Sequence, residues 1–374
     1  MAERAKIFLL IPHLGGGGAE RVMEMLAAHL SAEDFHLHLV LVTTQFASLS
    51  HSLPTHVVVH CLPCGKVRYA ALTLLRLIWQ ERPRVLLSGI HHLNLLLLGL
   101  QPFFPHGTRL LIRQNSTSLL PGSRSRIRLA LYRWLYRRAN AVLCQSAAMA
   151  QEMAQRLILP IRHLPVLANP VNLAAIRSTP PAMPTAETAA WFAAAPRLIA
   201  IGRLSPEKGF DLLLEAFAHL RLQHPKAALL ILGAGPEQQH LQAESERLSL
   251  DTSLHFGGYQ PATAAWLKAA TVFVLSSRHD AMPNALLEAA AAELPIVATP
   301  ASTGVLPLIA EQPGIWLAEE ATVPALTEAL CEAVRALYGS PQRYPHPWIE
   351  SYALEPTIAA YRELLLRHLT EAAR

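Results

Sequence analysis

The chain has 374 residues, 52% hydrophobic and only 16% charged, with a formal net charge of +5 at pH 7. That length allows about two domains, each with its own core. The richest apolar run, LNLLLLGL at 93–100, is too short to span a bilayer, and the N-terminal apolar stretch is interrupted too early by Pro12 and His13 for a signal peptide, so a cytoplasmic protein able to touch the inner face of the plasma membrane is expected.

KIFLLIP reads as a buried strand, and GGGGAERVMEMLAAHL as a glycine loop feeding an amphipathic helix. Gly15 to Gly18 let the backbone come close to a ligand, with Glu20 and Arg21 at the helix start. A dinucleotide site opens in the same way. GGGGAE, however, is not G-x-G-x-x-G, and the next strand, LHLVLVTT, ends in Thr43 and Thr44 with no acid for a ribose. Cys61 and Cys64 form a lone CxxC beside His60; with no second pair and no helix signal after it, a loop is expected rather than zinc or redox chemistry. The four cysteines fit a reducing compartment better than a disulfide scaffold.

RVLLSGI is a further strand that breaks at Gly89, with His91 and His92 at its carboxyl end, where open α/β sheets place ligands. With 18 histidines in the chain, most must be surface or satisfied core residues, and His36 and His38, on a strand, are read that way. After the strand RLLIRQNSTS comes SRSRIRLALYRWLYRRANAVLCQS; Arg113 to Arg138 holds seven arginines and no acid. Wound as a helix, Ile127, Leu131, Trp134 and Leu135 share one face, Arg126, Arg133 and Arg137 the opposite one, and Arg124 and Arg128 flank the apolar side. Two readings stand: a surface helix packed by its Leu/Trp stripe, or a patch for anionic lipid headgroups or a lipid diphosphate. The basic cluster is local and carries no recognised motif, so no nucleic-acid partner is expected.

From Leu173 to Pro196 the composition shifts to Ala, Pro and Thr, which reads as a linker. Strands and helices then alternate again, as in a parallel sheet covered on both faces. Arg203 and Lys208 stand on either side of a turn between the strand RLIAIGRL and a helix, where a diphosphate could be held or where both could simply be solvated. ILGAGPE turns through Gly233. TVFVLSS leads into the loop RHDAMPN and a helix from near Asn284, whose first turn is expected to present the free N–H groups of Ala285, Leu286 and Leu287 with the helix dipole behind them. Asp280 lies in that loop, and Glu288 one turn into the helix. A nucleotide sugar needs such a layout, with N–H groups for the diphosphate and a carboxylate each for ribose and sugar hydroxyls. Two solvated acids in an ordinary strand–loop–helix unit are the alternative.

Taken together, GGGGAERVMEMLAAHL, LYRRANAVLCQS, ANPVN, IGRLSPEKGFDLLLEAF, ILGAGPE and SSRHDAMPNALLEAAAAELPIVAT resemble the family 4 retaining glycosyltransferases nearly end to end. The resemblance implies an α/β GT-B fold of two Rossmann-like domains facing across a cleft. Residues 1–172 would form the acceptor-side domain, 173–196 the linker and 197–355 the nucleotide-sugar domain, with a helix over 356–374 packing back on the first. It implies that Arg203 and Lys208 neutralise the diphosphate, that Glu288 binds the ribose, and that Asp280 touches the transferred sugar. Gly233 and the backbone of Ala281, Met282, Pro283, Asn284, Ala285, Leu286 and Leu287 would hold donor, and Gly16 and Gly17 would approach its phosphates from the other domain. His91 would sit near the reacting carbon, with His92, Arg124, Arg126, Arg128, Arg133, Trp134 and Arg137 on the acceptor or membrane side. The implied partners are a UDP-hexose or UDP-N-acetylhexosamine and a saccharide or lipid-linked acceptor in envelope polysaccharide synthesis, with no metal or other cofactor; no DxD-type pair is present in a suitable loop. Where the family has Glu-Gly this chain has Asp280-Ala281, a reach shorter by about 1.5 Å. That departure supports one alternative, a non-catalytic sugar-nucleotide-binding relative; the other, a nucleotide-sugar 2-epimerase of similar fold, is opposed by the Arg203 and Lys208 pair followed by the acid-x7-acid spacing of Asp280 and Glu288.

Overall fold

The computed structural model describes residues 4–15, 17–43, 53–116, 125–301, 306–337 and 343–372, so Gly16 and Arg124 lie outside the described residues. Two compact units divide the chain: residues 1–170 with 354–374, and residues 171–353.

The first unit carries strands β1 (Ala5–Ile11), β2 (Phe35–Leu41), β3 (Val58–Cys61), β4 (Val85–Ser88), β5 (Arg109–Arg113) and β6 (Ala141–Leu143). Its helices are α1 (Gly18–His29), α2 (Ala71–Glu81), α3 (His91–Leu100), α4 (Arg126–Tyr136) and α5 (Ala147–Leu157). All strand pairs are parallel, in the order β3-β2-β1-β4-β5-β6. Helices cover a parallel sheet on both faces, so its strands read as unbroken apolar runs, and Ile7 to Ile11 of β1 are all fully buried.

The second unit repeats the plan with β7 (Arg197–Ile201), β8 (Ala228–Leu232), β9 (Leu254–Phe256), β10 (Val272–Leu275), β11 (Ile296–Ala298) and β12 (Ile315–Leu317). Between and before them run α6 (Leu173–Ser178), α7 (Ala189–Ala193), α8 (Phe210–Gln223), α9 (Gln238–Arg247), α10 (Ala264–Ala269), α11 (Asn284–Ala291), α12 (Leu306–Ile309) and α13 (Val323–Ala336). The order β12-β11-β10-β7-β8-β9 is the same doubly wound topology as in the first sheet. Its reversal, the point at which such sheets bind ligands, falls between β7 and β10, as it falls between β1 and β4 in the first.

The last helix, α14 (Leu354–Ala372), belongs to the first unit. Ile358, Tyr361, Leu364 and Leu365 join the core cluster built on β1, β2 and β4. The Arg113 side chain, 1% exposed at the end of β5, donates from Nε to Tyr361 Oη at 3.1 Å and from its terminal nitrogens to Asn115 and Asn169. A buried cation costs several kcal/mol unless its donors are satisfied, and here neutral oxygens satisfy them.

The stretch 173–196 is not a free linker. It carries α6 and α7 inside the second unit, where Trp191 is 2% exposed and donates from Nε1 to Leu198 O at 2.9 Å. The Ala/Pro/Thr composition masks one large anchor. The chain also enters and leaves this unit side by side, since Val171 pairs with Ala353 in parallel. Cys61 is exposed and Cys64 half-buried, and both are free; among the described residues no group of His, Cys, Asp and Glu is arranged to hold a metal. No described helix is long and apolar enough to cross a membrane.

His38 on β2 is 3% exposed. Its Nδ1 lies 2.7 Å from His60 Nε2, its Nε2 lies 3.5 Å from His36 Nδ1, and its ring stacks 5.2 Å from that of Phe8. Burial, followed by the neighbouring His60, His36 and Lys6, pushes the His38 pKa down from 6.5 to about 4. The unfolded chain therefore takes up a proton that the native state refuses. Stability is fully present above pH 6.5 and is lost as the pH falls from 6.5 towards 4, with a slope of at most about 1.4 kcal/mol per pH unit from this group. Thermal melts from pH 7 to pH 5 are expected to show this loss, and His38→Leu is expected to flatten it; a wild-type Tm independent of pH over that range contradicts the assignment.

Candidate functional site

In the second unit the turn after β7 and the loop after β10 are laced together at the sheet reversal. The 3-10 turn Pro206–Lys208 ends on Gly209, whose φ of 63° lies in the left-handed region and which caps α8. A Cβ at Gly209 would overlap the Ser276 carbonyl, so the two segments touch through backbone. Ser276 Oγ donates to Lys208 O at 2.9 Å, and the Arg278 N–H donates to Glu207 O at 2.8 Å. The Arg278 guanidinium forks onto both Asp211 oxygens at 2.6 and 2.5 Å, the planar match that arginine makes best. Burial alone would raise the Asp211 carboxyl, but its bond to Arg278 prevails and holds it below the usual carboxylate range.

Within this frame Lys208 Nζ pairs with Asp280 Oδ2. Their side chains are 23% and 15% exposed, accessible enough to exchange partners with a ligand. Arg203 stands exposed nearby, close enough to help hold the Glu207 carboxyl low against its partial burial. Glu288 on α11 is 8% exposed and accepts a 2.6 Å hydrogen bond from Thr263 Oγ1, at the cap of α10. Turns from the neighbouring strands press in: a Cβ at Gly233 (φ 150°) would overlap the Gly202 carbonyl oxygen, and one at Gly235 the Leu204 carbonyl oxygen.

The first turn of α11 departs from the sequence reading. The helix opens at Asn284 as expected, with Pro283 as its cap, but the Pro283 carbonyl takes the N–H groups of both Leu286 (3.0 Å) and Leu287 (3.3 Å). Those two amides are spent inside the helix, so of the three expected donors only Ala285 is not committed to Pro283. Leu286 and Leu287 are fully buried core residues, and Met282 is 5% exposed. The sequence reading also missed Thr263, Ser276 and the Arg278–Asp211 pair. Arg278 and Asp211 are 67 residues apart, and nothing local marks either as the other's partner.

In the first unit Gly17 caps α1, with the Glu20 carboxylate folded under it. His91 and His92 open α3 but take different places. His91 lies half-buried against Tyr132, Nε2 to Oη 3.2 Å, and its Nδ1 lies 3.5 Å from Tyr136 Oη. His92 is exposed on the side of His13 and lines a cavity with it. Burial lowers the pKa of both, helped by His92 in the case of His91 and by His13 in the case of His92.

Helix α4 packs the other way round from its apolar wheel. Tyr132 and Tyr136 are its buried residues, because their hydroxyls find His91 and Gln114 (2.9 Å from Tyr136) beneath it. Ile127 (87%), Leu131 (50%) and Trp134 (55%) are left exposed, among exposed Arg126, Arg128 and Arg137. Arg138 lies over the Trp134 ring at 3.6 Å. Arg133 is not a free cation of the patch, since it donates from Nε to Arg156 O at 3.0 Å.

Comparison with known proteins gives a consistent picture. Residues 16–175 match the family described as Glycosyltransferase Family 4, and residues 195–336 match Glycosyl transferases group 1. A relative from Campylobacter jejuni, N-acetylgalactosamine-N,N'-diacetylbacillosaminyl-diphospho-undecaprenol 4-alpha-N-acetylgalactosaminyltransferase, is 25% identical over 80% of this chain and 82% of its own. The lipopolysaccharide core biosynthesis glycosyltransferase LpsE of Rhizobium meliloti is 37% identical over 28% of this chain and 30% of its own. For three curated relatives, LpsE among them, the chain spans only 26%, 48% and 30% of their length. Among solved structures, Anabaena HepE in complex with UDP superposes with a TM-score of 0.71 at 16% identity, over 98% of this chain and all of that one, which shows a shared fold.

The close approach of the glycine turns separates two substitutions that look alike in sequence. Gly233→Ala is expected to destabilise by more than about 3 kcal/mol, through backbone overlap added to a disfavoured φ. Gly258→Ala, at φ 65° with nothing within 4 Å, is expected to cost only about 1–2 kcal/mol. Urea unfolding of the two variants measures the difference, and equal losses would remove the close-approach argument.

Proposed function

The chain belongs to the group 1, family 4 glycosyltransferases, and on that premise we propose that it is a retaining, metal-independent transferase. It moves a sugar from a nucleotide donor, a UDP-hexose or UDP-N-acetylhexosamine, to a saccharide or lipid-linked acceptor in envelope polysaccharide assembly. The observation that carries the reading is the meeting of Lys208 and Asp280, from two different loops, at the sheet reversal of the second unit. A diphosphate arriving there takes Lys208 and Arg203 as counter-charges, releasing Asp280 to accept hydrogen bonds from hydroxyls of the transferred sugar. Glu288, held by Thr263, accepts from the ribose hydroxyls. In the reaction the bond from the anomeric carbon to the phosphate oxygen breaks. An acceptor oxygen bonds to the same face of that carbon, and its proton passes to the departing phosphate oxygen. The charge that builds on the diphosphate is what Arg203 and Lys208 stabilise. The UDP complex of HepE and the diphospho-undecaprenol acceptor named for the Campylobacter relative support the choice of donor and acceptor classes.

The exposed Ile127, Leu131 and Trp134 ringed by arginines support a second element of the proposal, that α4 rests on an anionic membrane surface.

Calorimetric titration with UDP, GDP and ADP, with and without magnesium, tests the donor site. UDP is expected to bind without metal, and Glu288→Ala to weaken it roughly tenfold or more, the value of hydrogen bonds to a charged group. Lys208→Ala is expected to lower the transfer rate about 100- to 1,000-fold. Binding of no nucleotide, or a Lys208→Ala enzyme unchanged in donor affinity and rate, overturns the reading; a strict magnesium requirement overturns its metal-independent part. For the membrane element, co-sedimentation with vesicles containing phosphatidylglycerol is expected to fall with added salt and to be lost in a Leu131→Ser/Trp134→Ser variant. Unchanged binding by that variant removes α4 from the account.

A further inference from the structure

The first unit holds a cavity of about 560 Å³ at its own sheet reversal. His13 comes from the segment after β1, Thr43 from the segment after β2, Lys66 and Arg68 from the segment after β3, and His92 and Leu96 from α3 after β4. Three loops and one helix, each following one of four parallel strands, thus converge at one carboxyl edge, where open sheets of this kind bind ligands. Of the nine lining residues four are basic and none is acidic. The Glu20 carboxylate lies 4.0 Å from Nδ1 of His13, a nitrogen that already accepts the Gly15 N–H at 2.9 Å. Lys66 supplies a compact point charge and Arg68 a planar fork of donors, a pairing suited to the oxygens of a phosphate. Beyond Arg68 the surface continues into Tyr69 (67% exposed) and Leu72 (81% exposed).

We infer that this cavity binds a phosphate or diphosphate ester carried by the acceptor, so that the protein selects a charged acceptor over a neutral saccharide. The inference rests on the transfer reading only in taking the bound group to be the acceptor's. Four positive or ionisable donors around one cavity hold a neutral sugar poorly, because each must give up its hydration without a counter-charge. A phosphate replaces that hydration with charge-assisted hydrogen bonds. The ester has two sources, a lipid-linked diphosphate and a soluble sugar phosphate, and the exposed apolar residues beside Arg68 suit the lipid.

The test titrates the full chain, with UDP saturating the second unit, with farnesyl diphosphate in one arm and glucose 1-phosphate in the other. Each arm is repeated on Lys66→Ala/Arg68→Ala, two exposed positions whose loss leaves the cores intact. Phosphate-ester binding at least tenfold weaker in the double variant, with UDP affinity unchanged, is the expected result. Binding of farnesyl diphosphate alone assigns the lipid source, and binding of both esters assigns the phosphate group itself. No binding of either ester, or equal affinity in wild type and double variant, overturns the inference. Failure of the donor reading is seen separately, in the UDP titration.

Discussion

The pairing of β7 with β10 covers only two residue pairs, Leu198 with Val272 and Ile199 with Phe273, and the second unit is arranged around what lies beyond it. Past that short ladder the chains leave in opposite directions across the sheet, and the strand edges open a gap that no backbone ladder fills. Side chains and turns fill it instead: Ser276 and the Arg278 amide on the carbonyls of the 206–208 turn, Arg278 on Asp211, and Gly209 and Gly233 where backbones meet too closely for a Cβ. Lys208 and Asp280 pair within that lacing, and backbone bonds hold both in place, Lys208 through its carbonyl on Ser276 Oγ and Asp280 through its amide on Ala301 O. Precision of this kind comes from a rigid second layer behind the functional groups.

The first sheet solves the same topological problem with different chemistry. Its reversal is bordered by histidines, lysine and arginine instead of a lysine–aspartate pair, and among the described residues lining the cavity none is acidic. One strand order therefore carries two candidate sites of different character: one where a lysine meets an aspartate, and one lined by lysine, arginine and histidines. The fold fixes where ligands go, and the loop residues decide which ligands they are.

Much of this was legible in the sequence, for a definite reason. Parallel strands buried on both faces write themselves as continuous apolar runs, so KIFLLIP, RLIAIGRL and TVFVLSS announced strands, and the polar residues just past them announced the carboxyl edge. What sequence patterns hide is partnership at a distance. Arg278 and Asp211 carry no local sign of each other, and Trp191 is a single anchor in a stretch whose composition otherwise says linker. On α4 the wheel assigns the packed face to Leu and Trp. The fold buries Tyr132 and Tyr136 instead, because hydroxyls with partners are as easily buried as hydrocarbon. At α11 the N-terminus was placed within a residue, yet two of its expected donors were already committed to the Pro283 carbonyl.

The hold of Arg113 on Tyr361 and Asn169 has a consequence for how the protein is made. On the ribosome the first strands emerge early, but the wall of their core formed by Ile358, Tyr361 and Leu365 emerges only after the whole second unit. Until it does, a guanidinium destined for the interior lacks one of its acceptors and an apolar groove stays open. The unit that starts first in the chain is thus the one that finishes last, after the intervening unit has had all its residues available to fold. A chain that stops before residue 354 therefore holds every residue of the second unit but lacks part of the first unit's core.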